Sequence, residues 1–309
     1  MTGKPLVVIT GPTAVGKTKL AIAMCRTLNG EIINADSRQI YRHMDIGTAK
    51  PDTDEQRAAV HHLIDVVTPD ENLSLAQFQR MAYAAIDDIH SRGRLPLLTG
   101  GTGQYISAVI EGWSIPEVPP NHALREELEA FASENGPLAL HQRLAAMDTE
   151  AAQKIHPNNV RRIIRALEVY METGTPITEL QRKEPPPYRI WQYALDMDRD
   201  ALYERADQRV DLMMEAGLLD EVRWLLANGY PASLPAMSGI GYKQLAAYIA
   251  GDVSLEQAIE DTKMITHDFI RRQYTWLRGH DTGLMWHNSP EMNPDELIEQ
   301  TATWLRDTP

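Results

Sequence analysis

Leu6-Val7-Val8-Ile9-Thr10, a short and unbroken apolar run rich in β-branched residues, passes directly into Gly11-Pro12-Thr13-Ala14-Val15-Gly16-Lys17-Thr18. The run suits a strand buried on both faces. The octet fills every fixed position of G-x-x-x-x-G-K-[ST], in the context that pattern needs, after a strand and before a helix. Such a turn presents its backbone N–H groups inward at a helix N-terminus, where positive potential gathers, so a diphosphate or triphosphate is held there. Residues 11 to 18 are therefore the expected phosphate-binding set. Lys17 supplies a point charge, and the Thr18 hydroxyl is the expected ligand for Mg²⁺. A chance glycine turn would not bring both flanks with it. The motif names a ligand class and leaves the reaction open.

Strand and helix signals alternate after the octet. A helix is expected through about Leu28, then strands at Glu31–Ala35 and Leu63–Val67. Ser74 with Gln77 forms a capping-box start for a helix to about Arg92. Leu95–Thr99 returns as a strand and meets Gly100-Gly101-Thr102-Gly103. Alternation of this kind implies a parallel sheet covered on both faces, an α/β fold with a P-loop core. The rhythm breaks near Trp113, where Pro116, Pro119 and Pro120 cluster, and from Asn121 to about Gly174 the pattern is helical. Pro185-Pro186-Pro187 precede one more strand candidate, Ile190–Leu195, and helical patterns dominate from there, including a long one over 254–278. The economical reading is a catalytic core made of residues 1–112 and 189–309, with a mainly helical insertion over 113–188.

Composition narrows the setting. A chain of 309 residues with 43% hydrophobic and 24% charged content can build a sizeable core. No apolar run reaches the roughly 20 residues of a membrane span, and Met1–Pro5 lacks the features of a signal peptide. A cytoplasmic protein without membrane association is expected. A single cysteine, Cys25, makes neither an internal disulfide nor a multi-cysteine zinc site, and its helical context reads as a small buried residue. The 30 Lys and Arg against 43 Asp and Glu leave a net charge of −13. That disfavours indiscriminate nucleic-acid binding, while a local basic cleft remains compatible with it.

Asp36 follows the second strand, on the sheet edge that also carries the phosphate loop, since ligands gather at the carboxyl ends of parallel strands. There it serves as a magnesium ligand or general base, or as an ordinary turn aspartate; from the residues alone the two stand level. His61-His62 point in different directions on most backbones and have no third ligand nearby, which gives them a structural role.

The ordered set of motifs carries more. Gly-Pro-Thr-Ala-x-Gly-Lys-Thr is followed by Asp36-Ser37-x-Gln39-x-Tyr41 and by Met44-Asp45-Ile46-Gly47-Thr48-Ala49-Lys50-Pro51. Next come Gly100-Gly101-Thr102-Gly103-x-Tyr105, His156-Pro157-Asn158 and Arg165-Ala166-Leu167-Glu168-Val169. Gly239-Ile240-Gly241-Tyr242-Lys243-Gln244 and Arg272-Gln273-x-Thr275-Trp276-Leu277-Arg278-Gly279 complete it. Together they resemble the tRNA dimethylallyltransferase family over nearly the whole chain, in its bacterial form, without the zinc-finger extension of some eukaryotic relatives.

The resemblance implies that the loop cradles the diphosphate of dimethylallyl diphosphate instead of hydrolysing ATP, with Mg²⁺ as cofactor. It makes Asp36 the base that accepts the N6 proton of adenine, Thr102 a residue that places the reacting groups, and Arg209 a clamp on the diphosphate. Lys17 and the loop amides then stabilise the leaving group as its charge grows. The acceptor is the adenosine 3′ to the anticodon in tRNA, a base that must be extruded from its loop. Asp36, Ser37, Arg38, Gln39 and Thr102 are expected to hold that nucleotide, and Arg161, Arg162, Ile163, Ile164 and Arg165 to contact the anticodon stem-loop. On spacing alone the arginines would be a solvated basic face beside Glu168. Lys243, Arg271 and Arg272 are further candidates for RNA phosphates. With no coiled coil or association helix in the pattern, a monomer is expected. The rivals are a prenyltransferase acting on free adenylate, a small-molecule kinase and a noncatalytic nucleotide-binding regulator.

Overall fold

The computed structural model describes residues 3–280, 283–289 and 291–307. Its strands are β1 (Lys4–Thr10), β2 (Gly30–Asn34), β3 (His61–His62), β4 (Leu95–Gly100), β5 (Tyr188–Asp196) and β6 (Met285–Asn288). They form one sheet in the order β3-β2-β4-β1-β5-β6, and every pairing is parallel. The apolar run that opens the chain is β1, whose Leu6, Val7, Val8 and Ile9 are fully buried. A strand flanked by neighbours on both edges and helices on both faces has no side left for water, hence the absence of alternation. The helix Lys17–Leu28 packs Leu20, Ala21, Met24 and Cys25 into the same core as Val7 and Ile9. Burial pushes the Cys25 thiol up to about 12, so it is a buried apolar residue.

Two segments differ from the sequence expectation. Leu63–Val67 is not a strand. β3 is the two residues before it, and Leu63 and Asp65 then take positive φ values of 61° and 54°, which break the pleat. Asn34 donates to the Leu63 carbonyl at 3.2 Å and Lys50 to Asp65 at 2.6 Å, fastening this irregular backbone to the loops above the sheet. β6 was not anticipated at all. Four residues with no clear period offer too little pattern to separate a strand from a loop.

The chain divides into two compact units, Met1–Val109 with Pro187–Pro309, and Ile110–Pro186. In the second unit the helices His122–Asn135, Pro137–Met147, Thr149–Lys154 and Val160–Thr173 share a core of Leu128, Leu140, Leu144, Ile163 and Leu167. Fully buried Glu168 is held there by Arg125, Arg165 and the Asn121 N–H. Burial alone would raise its carboxyl, but those three donors bring it down to about 2. Among the described residues, no helix is long and apolar enough to cross a membrane.

In the first unit Glu31 of β2 is likewise fully buried, bound by both terminal nitrogens of Arg92, by Arg94 at 2.7 Å and by His62 at 2.6 Å. The Arg92 hydrogen bonds outweigh burial and, with His62, hold its carboxyl at about 2, below the ordinary 4.5. A value depressed on folding contributes stability above pH 4.5 that is lost as pH falls toward 2. Glu31→Gln is expected to cost about 3 kcal/mol in urea unfolding at pH 7, because the arginines lose their counter-charge. The variant's stability should then decline less steeply than the wild type's between pH 4.5 and 2; an equal decline would assign the acid sensitivity elsewhere.

Candidate active site

The phosphate loop takes its shape from three left-handed positions. Gly11 has φ 146°, Ala14 φ 63° and Gly16 φ 106°. A β-carbon on Gly11 would stand 2.7 Å from the Leu195 carbonyl of β5, so glycine is required there. Gly16 is the N-cap of the helix Lys17–Leu28, which aims that helix's free N–H groups at the loop. The Lys17 ammonium folds back over the loop, donating to the carbonyls of Pro12 at 2.7 Å and Gly11 at 3.1 Å. Burial lowers it to about 8, with Asp36 raising it and Arg209 lowering it further. Arg209, on the helix Arg199–Glu215, is also lowered by burial, and Asp36 opposes that shift. Both cations thus feel the Asp36 carboxylate.

Asp36 stands where β2 ends. Its Oδ1 accepts from the Arg38 N–H at 2.8 Å, closing the turn that the sequence allowed. The two readings of this residue are compatible, because one oxygen makes the turn and the other takes no hydrogen bond from the described residues. Thr102 fastens this turn to the glycine-rich segment after β4. Its hydroxyl accepts from the Ser37 N–H at 3.0 Å, and its own N–H donates to the Ala35 carbonyl at 3.2 Å.

Two cavities open on these groups. One, of about 460 Å³, is lined by Gly16, Lys17, Thr18, Asp36, Gln39 and Arg209. The other, of about 400 Å³, is lined by Asp36, Ser37, Arg38, Thr102, Phe269 and Arg272. Thr13, Ala14, Asp36, Thr48, Ala49 and Arg209 belong to both. Asp36 therefore lines both a polycationic chamber and a more apolar one.

Motif segments far apart in the chain meet here. Gln39 donates to the Thr48 and Ala49 carbonyls, and Arg38 to those of Pro235 and Ala236. Glu221 accepts from the N–H groups of Asp45, Ile46 and Gly47 and from the Tyr242 hydroxyl, tying Met44–Pro51 to the segment 239–244.

Sequence reasoning missed Gln273. Its side chain accepts from the Thr13 N–H at 2.9 Å and donates to the Gly101 carbonyl at 3.0 Å, clamping the phosphate loop to the glycine turn. The motif around it was visible, but nothing in a helical glutamine announces which backbone it will bind. Also missed was Thr99, which lines the cationic chamber and whose buried hydroxyl has no hydrogen-bond partner among the described residues. His62 has the expected structural role beside Glu31, whereas His61 lines the chamber, its Nδ1 2.8 Å from the Ala59 carbonyl. Among the described residues no group of three His, Cys, Asp or Glu side chains stands ready to hold a metal.

The expected RNA patch on the helix Val160–Thr173 needs correction. Ile163 and Ile164 are 0% and 4% exposed within the second unit's core, so their side chains are closed to RNA. Two consecutive residues of an amphipathic helix both fall on its inner face here. Arg165 is bound to Glu168 at 2.6 Å and to the carbonyls of Pro116 and Val118. Arg161 and Arg162 are exposed. Lys243, Arg271 and Arg272 are exposed in the first unit, Arg271 donating to the Tyr203 hydroxyl at 3.2 Å.

Comparison with known proteins places these features in company. Residues 39–280 match the family described as IPP transferase. The chain is 57% identical to the tRNA dimethylallyltransferase of Chloroflexus aggregans, over 88% of this chain and 92% of that one. It is 54% identical to the enzyme of the same name from Roseiflexus sp., over 98% of each. Among solved structures, the full-length tRNA isopentenylpyrophosphate transferase of Bacillus halodurans has a TM-score of 0.72 at 42% identity, covering 99% of this chain and 96% of its own. A eukaryotic dimethylallyltransferase acting on tRNA has a TM-score of 0.83 at 26% identity, covering 99% and 80%.

The lowered Lys17 value yields a pH test of the chamber. A bound polyphosphate favours the ammonium form, so Lys17 helps binding fully below pH 8 and progressively less above it. The ratio of wild-type to Lys17→Met affinity for inorganic pyrophosphate, measured by calorimetry, should be constant from pH 6.5 to 7.5. It should then shrink by up to roughly tenfold per pH unit above 8 until the bound form also titrates. A ratio flat to pH 10 would remove Lys17 from the anion site.

Proposed function

This chain belongs to the IPP transferase family, and on that premise we propose that it carries a dimethylallyl group from dimethylallyl diphosphate to N6 of the adenosine 3′-adjacent to the anticodon in tRNA. It is a prenyltransferase acting on tRNA. One observation carries the finer reading: Asp36 lines both a chamber shared with Lys17 and Arg209 and a second, more apolar chamber. A donor diphosphate suits the first and a flipped-out purine the second.

The reaction balances across those two chambers. The adenine N6 lone pair forms the new N–C bond at the allylic carbon, the C–O bond to the diphosphate breaks, and its electron pair leaves with pyrophosphate. Lys17, Arg209 and the loop N–H groups stabilise the charge that grows on the departing oxygen. Asp36 accepts the N6 proton. An exocyclic amine is a weak nucleophile, so alignment matters as much as basicity, and Thr102 holds the Asp36 turn in place through Ser37.

Mg²⁺, when bound, supplies further countercharge to the diphosphate. The residues fit it: Thr18 brings a hard oxygen donor to the anion chamber, and Mg²⁺ needs only one or two protein oxygens beside substrate phosphates and water. This reading carries with it a cytoplasmic monomer, in which Ser37, Arg38 and Gln39 frame the nucleotide pocket. Arg38 and Gln39 act chiefly by bracing its walls. Arg161 and Arg162 serve as phosphate contacts for the stem-loop.

The direct test is to incubate the protein with labelled dimethylallyl diphosphate and unmodified tRNA, and separately with ATP. Label should enter tRNA, and ATP should not be consumed. Asp36→Ala should lower turnover by about 10²–10⁴-fold. Its pyrophosphate affinity should be no weaker, since a negative neighbour of the anion has gone. Wild-type turnover in that variant would remove Asp36 as the base. Arg161→Ala with Arg162→Ala should weaken tRNA binding and reduce the salt slope of log affinity by about 2, one per lost phosphate contact. An unchanged slope would leave those arginines as a solvated face.

A further inference from the structure

The phosphate loop is gripped from a part of the chain that no motif marks. Ser289, directly after β6, donates from its hydroxyl to the Val15 carbonyl at 2.6 Å. Its own N–H donates to the Asp196 carbonyl at the end of β5, at 2.7 Å. Asp196 is anchored in turn by the Tyr274 hydroxyl at 2.5 Å. Ser289 therefore reaches the loop from a fixed support, and a β-carbon on Gly16 would lie only 3.3 Å from its oxygen.

The bond matters because it sets the orientation of the Val15–Gly16 peptide. In a trans peptide the carbonyl and the next N–H point in opposite directions. Drawing the Val15 carbonyl toward Ser289 turns the Gly16 N–H the other way, and Gly16 lines the anion chamber. This peptide is free to rotate, since Gly16, at φ 106°, accepts dihedrals that other residues resist. Rotated, it would show the anion a carbonyl oxygen in place of a donor.

We propose that Ser289 is a positioning residue for the donor's diphosphate, selecting the orientation in which the Val15–Gly16 peptide presents its N–H to the anion. The proposal rests on the reading of the chamber as a diphosphate site. Ser289 touches no reacting atom. It acts through the loop, so its effect belongs to donor affinity and donor KM, with tRNA affinity unmoved.

The experiment titrates Mg²⁺ and inorganic pyrophosphate into wild-type protein, Ser289→Ala and Ser289→Thr, with tRNA binding measured alongside. Loss of one amide donor to a charged ligand should weaken pyrophosphate binding in Ser289→Ala roughly tenfold. Ser289→Thr, which keeps the hydroxyl, should return to within about threefold of wild type, and all three should bind tRNA alike. Wild-type pyrophosphate affinity in Ser289→Ala overturns the proposal. So does a parallel loss of tRNA binding, or a failure of threonine to rescue, since either makes the residue a packing element. A wild-type protein that binds no pyrophosphate overturns the diphosphate reading itself, a result distinguishable from these.

Discussion

Two half-buried cations, Lys17 and Arg209, share one chamber with the Asp36 carboxylate, and much of the site's character comes from that meeting of charges. Positive charge withdrawn from water is costly unless it is matched. Asp36 matches part of it and the loop carbonyls of Gly11 and Pro12 a little more. Cations gathered in a concave site form the kind of preorganised arrangement that suits growing negative charge. The sheet makes this possible by bringing the ends of β1, β2 and β4 to one edge, where rigid backbone keeps the charged groups from escaping to solvent.

An overall charge of −13 is consistent with that arrangement. Acidic surface suppresses unselective attachment to nucleic acid, while a few cations concentrated in concave places keep their local field. The family to which the chain belongs acts on tRNA, a polyanion abundant enough that weak, general affinity would be a hindrance.

Much of this was legible in the sequence, for reasons that differ by residue. The shape of the loop at residues 11–18 could be read because it is fixed by glycines, so the pattern of residue types specifies the backbone itself. β1 and β4 could be read because full burial leaves unbroken apolar runs. Leu63–Val67 had the same apolar look, yet its left-handed residues serve the loops around Lys50 and Asn34, a tertiary demand that no local period reveals. Ile163 and Ile164 entered the expected tRNA-contact set with the family resemblance, whereas their aliphatic side chains belong to the helix's buried face. Gln273 and Ser289 are the hardest kind to find. Each acts through a hydrogen bond to distant backbone, and neither residue type nor spacing encodes which carbonyl or N–H that will be.

The parallel pairing of β1 with β5 has a consequence for how the molecule comes into being. Lys4 opposes Tyr188, and the whole Ile110–Pro186 unit is spelled out between the two strands. During synthesis the first strand to leave the ribosome must wait, one edge bare, until most of the chain has followed. Long-range closure of this kind is slow and leaves sticky backbone exposed in the meantime. The intervening unit has its own core and can fold as soon as it emerges, shortening the effective tether between the waiting edge and its late-arriving partner.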